Sequence, residues 1–182
     1  MNIKKVGVIG AGQMGNGIAH VAALSGFDVL LNDVAEDRIK SALATIDGNL
    51  KRLVVKSGLT DDARKAALGR IKPATGMDAL ADCDIVIESA AEKEETKRKI
   101  FHDLCAVLKH DAIVASNTSS IPITRLAAAT DRPERFIGIH FMNPVPRMEL
   151  VEIIRGIATE DATFETSKEF VSKLGKQIAV SE

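Results

Sequence analysis

No other segment narrows the choice of folds as far as the glycine-rich turn near the start of the chain. It runs Gly10-Ala11-Gly12-Gln13-Met14-Gly15, follows an apolar run and opens a helical stretch. Gly10 permits a tight turn, Gly12 lets the backbone approach a pyrophosphate, and Gly15 lets the helix pack closely against a sheet. Asp33 ends the next apolar run, about 20 residues after the turn. This pattern predicts a strand–turn–helix unit that binds a dinucleotide.

Asp33 also indicates which dinucleotide the turn would bind. Its carboxylate is expected to accept hydrogen bonds from the adenosine ribose and to repel a 2′-phosphate, which favours NAD over NADP. The nearest arginine, Arg38, lies in the following helix and does not reverse this preference. The helix N-terminus would supply free N–H groups to the phosphates. The alternative interpretation is a glycine turn that serves packing only.

Short apolar runs alternate with amphipathic stretches along the whole chain. Strands are predicted at 3–9, 28–32, 84–88, 112–116, 136–141, 149–154 and 176–180, and helices at 13–24, 36–56, 60–68, 92–108, 122–129 and 163–174. Such alternation predicts an α/β protein with a mostly parallel sheet covered on both faces. Together with the glycine turn, it predicts one Rossmann-type, doubly wound domain over residues 1–182, with a helical pair inserted after the second strand.

Composition and charge exclude several classes of partner. The chain has 24 lysines and arginines against 25 aspartates and glutamates, so no basic face for a nucleic acid is expected. No apolar run reaches the roughly 18 residues of a membrane span, so no membrane partner is expected. Cys83 and Cys105 lie in apolar stretches, which favours buried hydrophobic side chains over a disulfide or a metal site. The N-terminus shows no targeting segment, which favours a cytoplasmic protein.

Among the four histidines, His140 is the best placed for chemistry. It ends a predicted strand, and ligands of open α/β sheets bind beyond the carboxyl ends of the strands. Glu152 lies in the next apolar run, where a buried carboxylate needs a partner, and an imidazole would provide one. The pair would be suited to proton transfer, with a purely structural histidine as the alternative. His20, His102 and His110 fall on helix surfaces or ends.

A polar run, Ser116-Asn117-Thr118-Ser119-Ser120, follows another predicted strand and is a second candidate site. Its alternative interpretation is a turn that caps the next helix.

Four segments together resemble a known family. They are the glycine turn, Ser116-Asn-Thr-Ser-Ser-Ile121, His140-Phe-Met-Asn-Pro-Val-Pro146 and Leu150-Val-Glu-Ile-Ile154. In this order they look like the signature segments of the NAD-dependent L-3-hydroxyacyl-CoA dehydrogenases, including the 3-hydroxybutyryl-CoA dehydrogenases. The resemblance implies an oxidoreductase that interconverts a 3-hydroxyacyl-CoA and a 3-oxoacyl-CoA, in fatty acid and lipid metabolism.

The resemblance also implies roles for individual residues around the reacting atoms. His140 matches the general base that accepts the proton of the 3-hydroxyl group, and Glu152 matches the carboxylate that orients it. Ser119 matches a serine that contacts both substrate and cofactor, and Asn143 an asparagine near the reacting groups. Glu92 and Lys97 match residues on the nicotinamide side of NAD.

For the coenzyme A moiety the resemblance points to the predicted helix at 36–56. Lys56 matches a lysine that contacts coenzyme A, with a solvated lysine as the alternative. Asn49 lies where some family members have a serine that contacts coenzyme A. The long helical excursion and Lys56 favour a coenzyme A thioester over a sugar acid or a branched hydroxy acid.

Members of the family continue into a helical domain that carries part of the acyl pocket and most of a homodimer interface. The chain stops at Glu182, so we expect the cofactor domain without that helical domain. The alternative function is a non-catalytic NAD-binding or structural protein that reuses this fold.

Overall fold

The computed structural model describes all 182 residues and contains one eight-stranded sheet. The strands are β1 Lys5–Ile9, β2 Asp28–Asn32, β3 Ile71–Ala74, β4 Ile85–Glu88, β5 Ile113–Ser116, β6 Phe136–Phe141, β7 Leu150–Arg155 and β8 Gln177–Ser181. They lie in the order β3-β2-β1-β4-β5-β6-β7-β8, and only the β6–β7 pair is antiparallel. The strand order reverses beside β1, which pairs with both β2 and β4, and ligands of such sheets bind outside the carboxyl ends at this point.

Six helices connect the strands. They are α1 Gln13–Leu24, α2 Glu36–Ser57, α3 Asp61–Arg70, α4 Glu94–Cys105, α5 Ile123–Ala127 and α6 Asp161–Lys173. Gly58, with a φ of 73°, ends α2, and the Thr60 side chain accepts a hydrogen bond from the Ala63 N–H at the start of α3. These two local signals separate α2 from α3 and produce the predicted helical pair after β2. None of these helices is long and apolar enough to cross a bilayer.

Apolar side chains cover both faces of the sheet. On one face the buried core includes residues of α1, α2, α3 and α6, with Phe27 and Phe170 in edge-to-face contact at a centroid distance of 5.1 Å. On the other face α4 and α5 pack on the sheet, and Phe101 and Phe136 make a similar contact at 5.0 Å. Helices on both faces confirm the predicted doubly wound, mostly parallel α/β fold.

Most predicted elements are present, with ends displaced by at most three residues. The largest shift is at the end of α4, predicted at residue 108 but found at Cys105; α4 also begins at Glu94 instead of residue 92, so Glu92 lies in the preceding turn. The prediction missed β3, a four-residue segment Ile-Lys-Pro-Ala. Proline is depleted in strands, but β3 is an edge strand. The missing N–H of Pro73 therefore leaves no carbonyl group of a neighbouring strand without a hydrogen bond. The antiparallel direction of β7 was not predicted either.

Two predictions about single side chains need correction. His20 was expected on a helix surface, but it is 2% exposed, and burial together with the nearby Lys176 lowers its pKa to about 4. Its Nδ1 atom is buried without a hydrogen-bond partner. Cys83 is fully buried, as predicted, and burial raises the pKa of its thiol to about 12. The second correction concerns Cys105, which was also expected to be buried but is only partly buried.

Candidate active site

The glycine turn lies at the carboxyl end of β1 and leads into α1. Gly10 has a φ of 101°, and a Cβ atom there would lie 2.4 Å from the Ser89 carbonyl oxygen, so only glycine fits. A Cβ atom on Gly15 would lie 1.6 Å from the Gly10 carbonyl oxygen. Only glycine at this position therefore lets α1 lie so close to the turn. Around Gly12 there is open space instead, and no side chain caps the helix there. The first N–H groups of α1 are therefore free for an anionic ligand.

Asp33 lies at the carboxyl end of β2 and holds the turn in place. One carboxylate oxygen accepts a hydrogen bond from the Ala11 N–H at 2.9 Å, and the other accepts from the Ala35 N–H at 3.0 Å. The side chain is mostly buried, and each oxygen keeps a lone pair for a ribose hydroxyl. Asp33 can therefore serve the turn and a ribose together.

His140 and Glu152 face each other across the antiparallel pair of β6 and β7. They are direct cross-strand partners in the register, and His140 Nδ1 lies 2.9 Å from Glu152 Oε2. The Glu152 side chain is 40% exposed, so the expectation of a buried carboxylate is wrong. The pair itself forms as predicted.

The polar run after β5 wraps around the Glu92 carboxylate. The Oε1 atom of Glu92 accepts hydrogen bonds from the Thr118 hydroxyl, the Ser119 N–H at 3.2 Å and the Ser120 hydroxyl at 3.1 Å. Burial alone would raise the pKa of Glu92, but the hydrogen bond from Thr118 and the charge of Lys97 hold it below its usual value. The Thr118 hydroxyl also accepts from the Ile121 N–H, which is the turn-forming role weighed above.

Glu88, which the sequence analysis did not single out, anchors the ends of β4 and β5. It is fully buried and accepts hydrogen bonds from Lys97 Nζ, the Ala90 N–H and the Ser116 hydroxyl, each at 2.7 Å. Its position as the last residue of an apolar run was the only signal in the sequence, and the nine-residue spacing to Lys97 shows no helical or strand periodicity. The buried ion pair depends on the fold.

One cavity of about 520 Å³ brings most of the predicted site residues together, and we call it the main cavity. Its lining includes Gly12, Gln13, Met14, Glu92, Lys97, Ser119, His140 and Asn143. Gln13 donates a hydrogen bond to the Asn143 side chain at 3.2 Å, which joins the glycine turn to the loop after β6. Asp33, Glu152 and the other residues of the turn, Gly10, Ala11 and Gly15, stand outside this lining.

The two remaining predicted residues, Asn49 and Lys56, line a second cavity of about 520 Å³ between α2 and the loop after β6. We call it the cationic cavity, because Arg52, Lys56 and Arg147 line it and no carboxylate does. Lys176 holds its loop wall by donating hydrogen bonds to the Val145 and Met148 carbonyl oxygens, both at 2.7 Å.

One loop separates the two cavities. Met142 and Asn143 line the main cavity, whereas Pro144, Pro146 and Arg147 line the cationic cavity. An extended ligand could therefore hold its reactive end beside His140 and an anionic end beside Arg147.

Comparisons with known proteins agree with this arrangement. The family model of the NAD-binding domain of 3-hydroxyacyl-CoA dehydrogenases matches residues 5–182. The chain belongs to the 3-hydroxyacyl-CoA dehydrogenase family. It is 77% identical over 180 residues to a 3-hydroxybutyryl-CoA dehydrogenase of Bradyrhizobium diazoefficiens, covering 99% of this chain and 61% of that protein. A 3-hydroxybutyryl-CoA dehydrogenase of Mycobacterium tuberculosis is 44% identical, with 97% and 62% covered.

Solved structures of this family are similar to the chain as well. The (S)-3-hydroxybutyryl-CoA dehydrogenase of Ralstonia eutropha superposes with a TM-score of 0.97 at 44% identity, covering 100% of this chain and 64% of that one. The chain thus spans somewhat more than three fifths of the relatives that it matches.

The residues present fit the NAD that the family binds. The open space at Gly12 and the uncapped start of α1 suit a diphosphate, and the Asp33 carboxylate suits ribose hydroxyls. Arg38, the nearest arginine to follow, is exposed in α2. In this member of the 3-hydroxyacyl-CoA dehydrogenase family, the main cavity therefore combines space for NAD at the glycine turn with the imidazole of His140.

Proposed function

We propose that this chain is the NAD-binding domain of a 3-hydroxybutyryl-CoA dehydrogenase, which reversibly oxidises a 3-hydroxyacyl-CoA to a 3-oxoacyl-CoA. The observation that carries the proposal is the His140–Glu152 pair, whose histidine lines the same cavity as the glycine turn. The 77% identity to a named 3-hydroxybutyryl-CoA dehydrogenase supports this choice of substrate.

The hydrogen bond to Glu152 decides which nitrogen of His140 can act as a base. Glu152 has only acceptor atoms when ionised, so Nδ1 donates to it and carries the proton of the neutral ring. Nε2 is then left with a free lone pair. We expect Nε2 to take the proton of the substrate 3-hydroxyl group, and Glu152 to stabilise the imidazolium that results.

Bound NAD supplies the hydride acceptor for this oxidation. The chain would hold it through the Gly10–Gly15 turn, with Asp33 serving the ribose and Glu92 and Lys97 serving the nicotinamide end. Ser119 and Asn143, exposed at the rim of the main cavity, can contact substrate and cofactor at the reacting end. These residues fix the positions of both reactants, and His140 moves the proton.

The cationic cavity supports a coenzyme A thioester as the substrate. Coenzyme A carries three phosphate groups, and the cavity presents Arg52, Lys56 and Arg147 without a carboxylate among its lining residues. Asn49 donates no side-chain hydrogen bond to the protein; its oxygen accepts one from Arg52 at 2.8 Å. The amide N–H₂ of Asn49 is thus available to a phosphate or hydroxyl group.

A chimaera tests the function directly. This chain would be joined to the remaining part of the Bradyrhizobium enzyme, and oxidation of NADH by acetoacetyl-CoA would be followed at 340 nm. We expect turnover in the chimaera, and a loss of about 10²–10⁴-fold in the His140→Gln variant, because general base catalysis contributes that much. NAD affinity should stay within about twofold, since His140 is not part of the diphosphate cradle.

His102→Gln is the matched control, because His102 is exposed on α4 and outside the main cavity. An inactive chimaera that still binds NAD would contradict the enzymatic assignment and favour a non-catalytic NAD-binding protein. Near-normal turnover of His140→Gln would contradict the proton-acceptor role alone.

The family resemblance supports four further proposals. Residues 1–182 form the cofactor domain of the enzyme, a helical domain completes the acyl pocket, the complete protein is a cytoplasmic homodimer, and it acts in fatty acid metabolism. Light scattering of the chimaera and of this chain alone would test the assembly. If this chain alone forms a dimer although the helical domain is absent, dimerisation through that domain would be contradicted.

A further inference from the structure

Three charged side chains at the carboxyl end of β4 form one cluster, which we call the Glu–Lys–Glu cluster. Lys97 Nζ lies 2.7 Å from Glu88 Oε1 and 3.3 Å from Glu92 Oε2. Glu88 and Lys97 are 0% and 1% exposed, whereas the Glu92 side chain is 39% exposed and lines the main cavity. The cluster therefore has a buried end and an end that faces the ligand.

The charges of the cluster do not cancel. Two carboxylates share one ammonium group, which leaves a net charge of −1. The shorter contact pairs Lys97 with buried Glu88, so the excess charge resides on Glu92 at the cavity. The other neighbours of Glu92 are uncharged donors from the Ser116–Ser120 run, which stabilise its ionised form without neutralising it.

No other charged side chain of the main cavity offsets this excess. Apart from Glu92 and Lys97, its lining has no Asp, Glu, Lys or Arg side chain, and the partner of His140 is itself a carboxylate. Counted over charged side chains, the main cavity thus carries one excess carboxylate, whereas the cationic cavity on the other side of the loop has only cationic side chains.

We propose that the Glu–Lys–Glu cluster, through Glu92, makes the domain discriminate between the redox states of its dinucleotide in favour of the oxidised form. The inference rests on the proposed function, which requires the nicotinamide ring to reach the substrate carbon beside His140 in this same cavity. The oxidised ring carries a positive charge and the reduced ring carries none. Glu92 therefore attracts the ring before hydride transfer and loses that attraction afterwards.

The consequence is a cofactor that is released more readily once it is reduced. Glu92 is partly exposed, so water screens the interaction, and we expect it to change the ratio of the two affinities by about five- to tenfold. The change in the ratio of affinities comes from the charge of Glu92 and not from hydrogen bonding, because both redox forms present the same ribose hydroxyls.

The test compares the affinities of NAD⁺ and NADH for this chain by isothermal titration. In Glu92→Gln the ratio Kd(NADH)/Kd(NAD⁺) should fall about five- to tenfold, mainly through weaker NAD⁺ binding. Glu95→Gln is the matched control, because Glu95 is exposed on α4, loses the same formal charge and makes no ion pair. Its ratio should equal that of the unchanged chain.

Salt provides a second measurement that needs no variant. Raising the ionic strength should move the ratio of the unchanged chain toward that of Glu92→Gln, because screening weakens the charge interaction. Equal weakening of both redox forms in Glu92→Gln, or a ratio that responds to neither the substitution nor salt, would overturn the proposal. Failure of the unchanged chain to bind either form would contradict the proposed function instead.

Discussion

Replacing Gly15 by alanine should separate the packing of the glycine turn from ordinary helix propensity. The new Cβ atom would lie 1.6 Å from the Gly10 carbonyl oxygen, and Cβ atoms in proteins essentially never come closer than 3.0 Å to a neighbour. The separation must therefore grow by 3.0 − 1.6 = 1.4 Å. Gly10 cannot retreat freely, because its N–H donates to the Asn32 carbonyl oxygen at 2.8 Å.

The expected cost follows from this displacement. Overpacking of a well-packed site costs about 1–3 kcal/mol or more, and alanine regains about 1 kcal/mol of helix propensity. Because the clash is between backbone atoms and a Cβ, we expect the upper part of that range and a net loss of about 2 kcal/mol in the free energy of unfolding. The turn also moves away from the diphosphate, so NAD affinity should fall at least tenfold.

Gly48→Ala in α2 is the matched control. Nothing lies within 4 Å of the position of its Cβ atom, so the substitution should stabilise the chain by about 0.5–1 kcal/mol. Urea unfolding would be followed by far-ultraviolet circular dichroism, because the chain has no Trp and no Tyr. Equal stabilities of the two variants, or NAD binding by Gly15→Ala within twofold of the unchanged chain, would refute the steric argument.

Three further predictions concern charge. The pKa of His20 is about 4 in the folded chain, below its unfolded value of 6.5, so its contribution to stability is lost as pH falls below the unfolded pKa. The free energy of unfolding should therefore drop by about 2 kcal/mol from pH 7 to pH 5. In urea titrations, His20→Gln should remove most of this drop. Asp33→Asn should raise NADP affinity relative to NAD at least tenfold by isothermal titration, since it removes the charge that repels a 2′-phosphate; an unchanged ratio would contradict that role. Arg147→Gln should weaken binding of free coenzyme A about two- to fivefold at low salt, while Lys51→Gln, on α2 outside the cationic cavity, should not.

The sequence was most informative where chemistry and local structure coincide. The glycine turn is specified by contacts within a few residues, so its fingerprint predicted both the β1–α1 unit and the place of the cofactor. His140 and Glu152 are twelve residues apart, and their pairing was predicted because both were unusual polar residues in apolar runs.

Features that depend on distant parts of the chain were out of reach. The low pKa of His20 depends on its burial beside the loop after β6 and on the charge of Lys176, both more than 120 residues along the chain. Glu88 and Lys97 form their buried ion pair only when β4, β5 and α4 pack together. The edge strand β3 was missed because Pro73 is a poor strand residue except where no neighbour needs its N–H.

The cross-strand register of β6 and β7 restricts how this site can be altered. Successive side chains of a strand point to opposite faces, so deleting or inserting a single residue in β7 would turn Glu152 to the face away from His140. Length changes of two residues would restore the facing but pair His140 with a different neighbour. Recombination between family members must therefore keep the register of β6 against β7 intact.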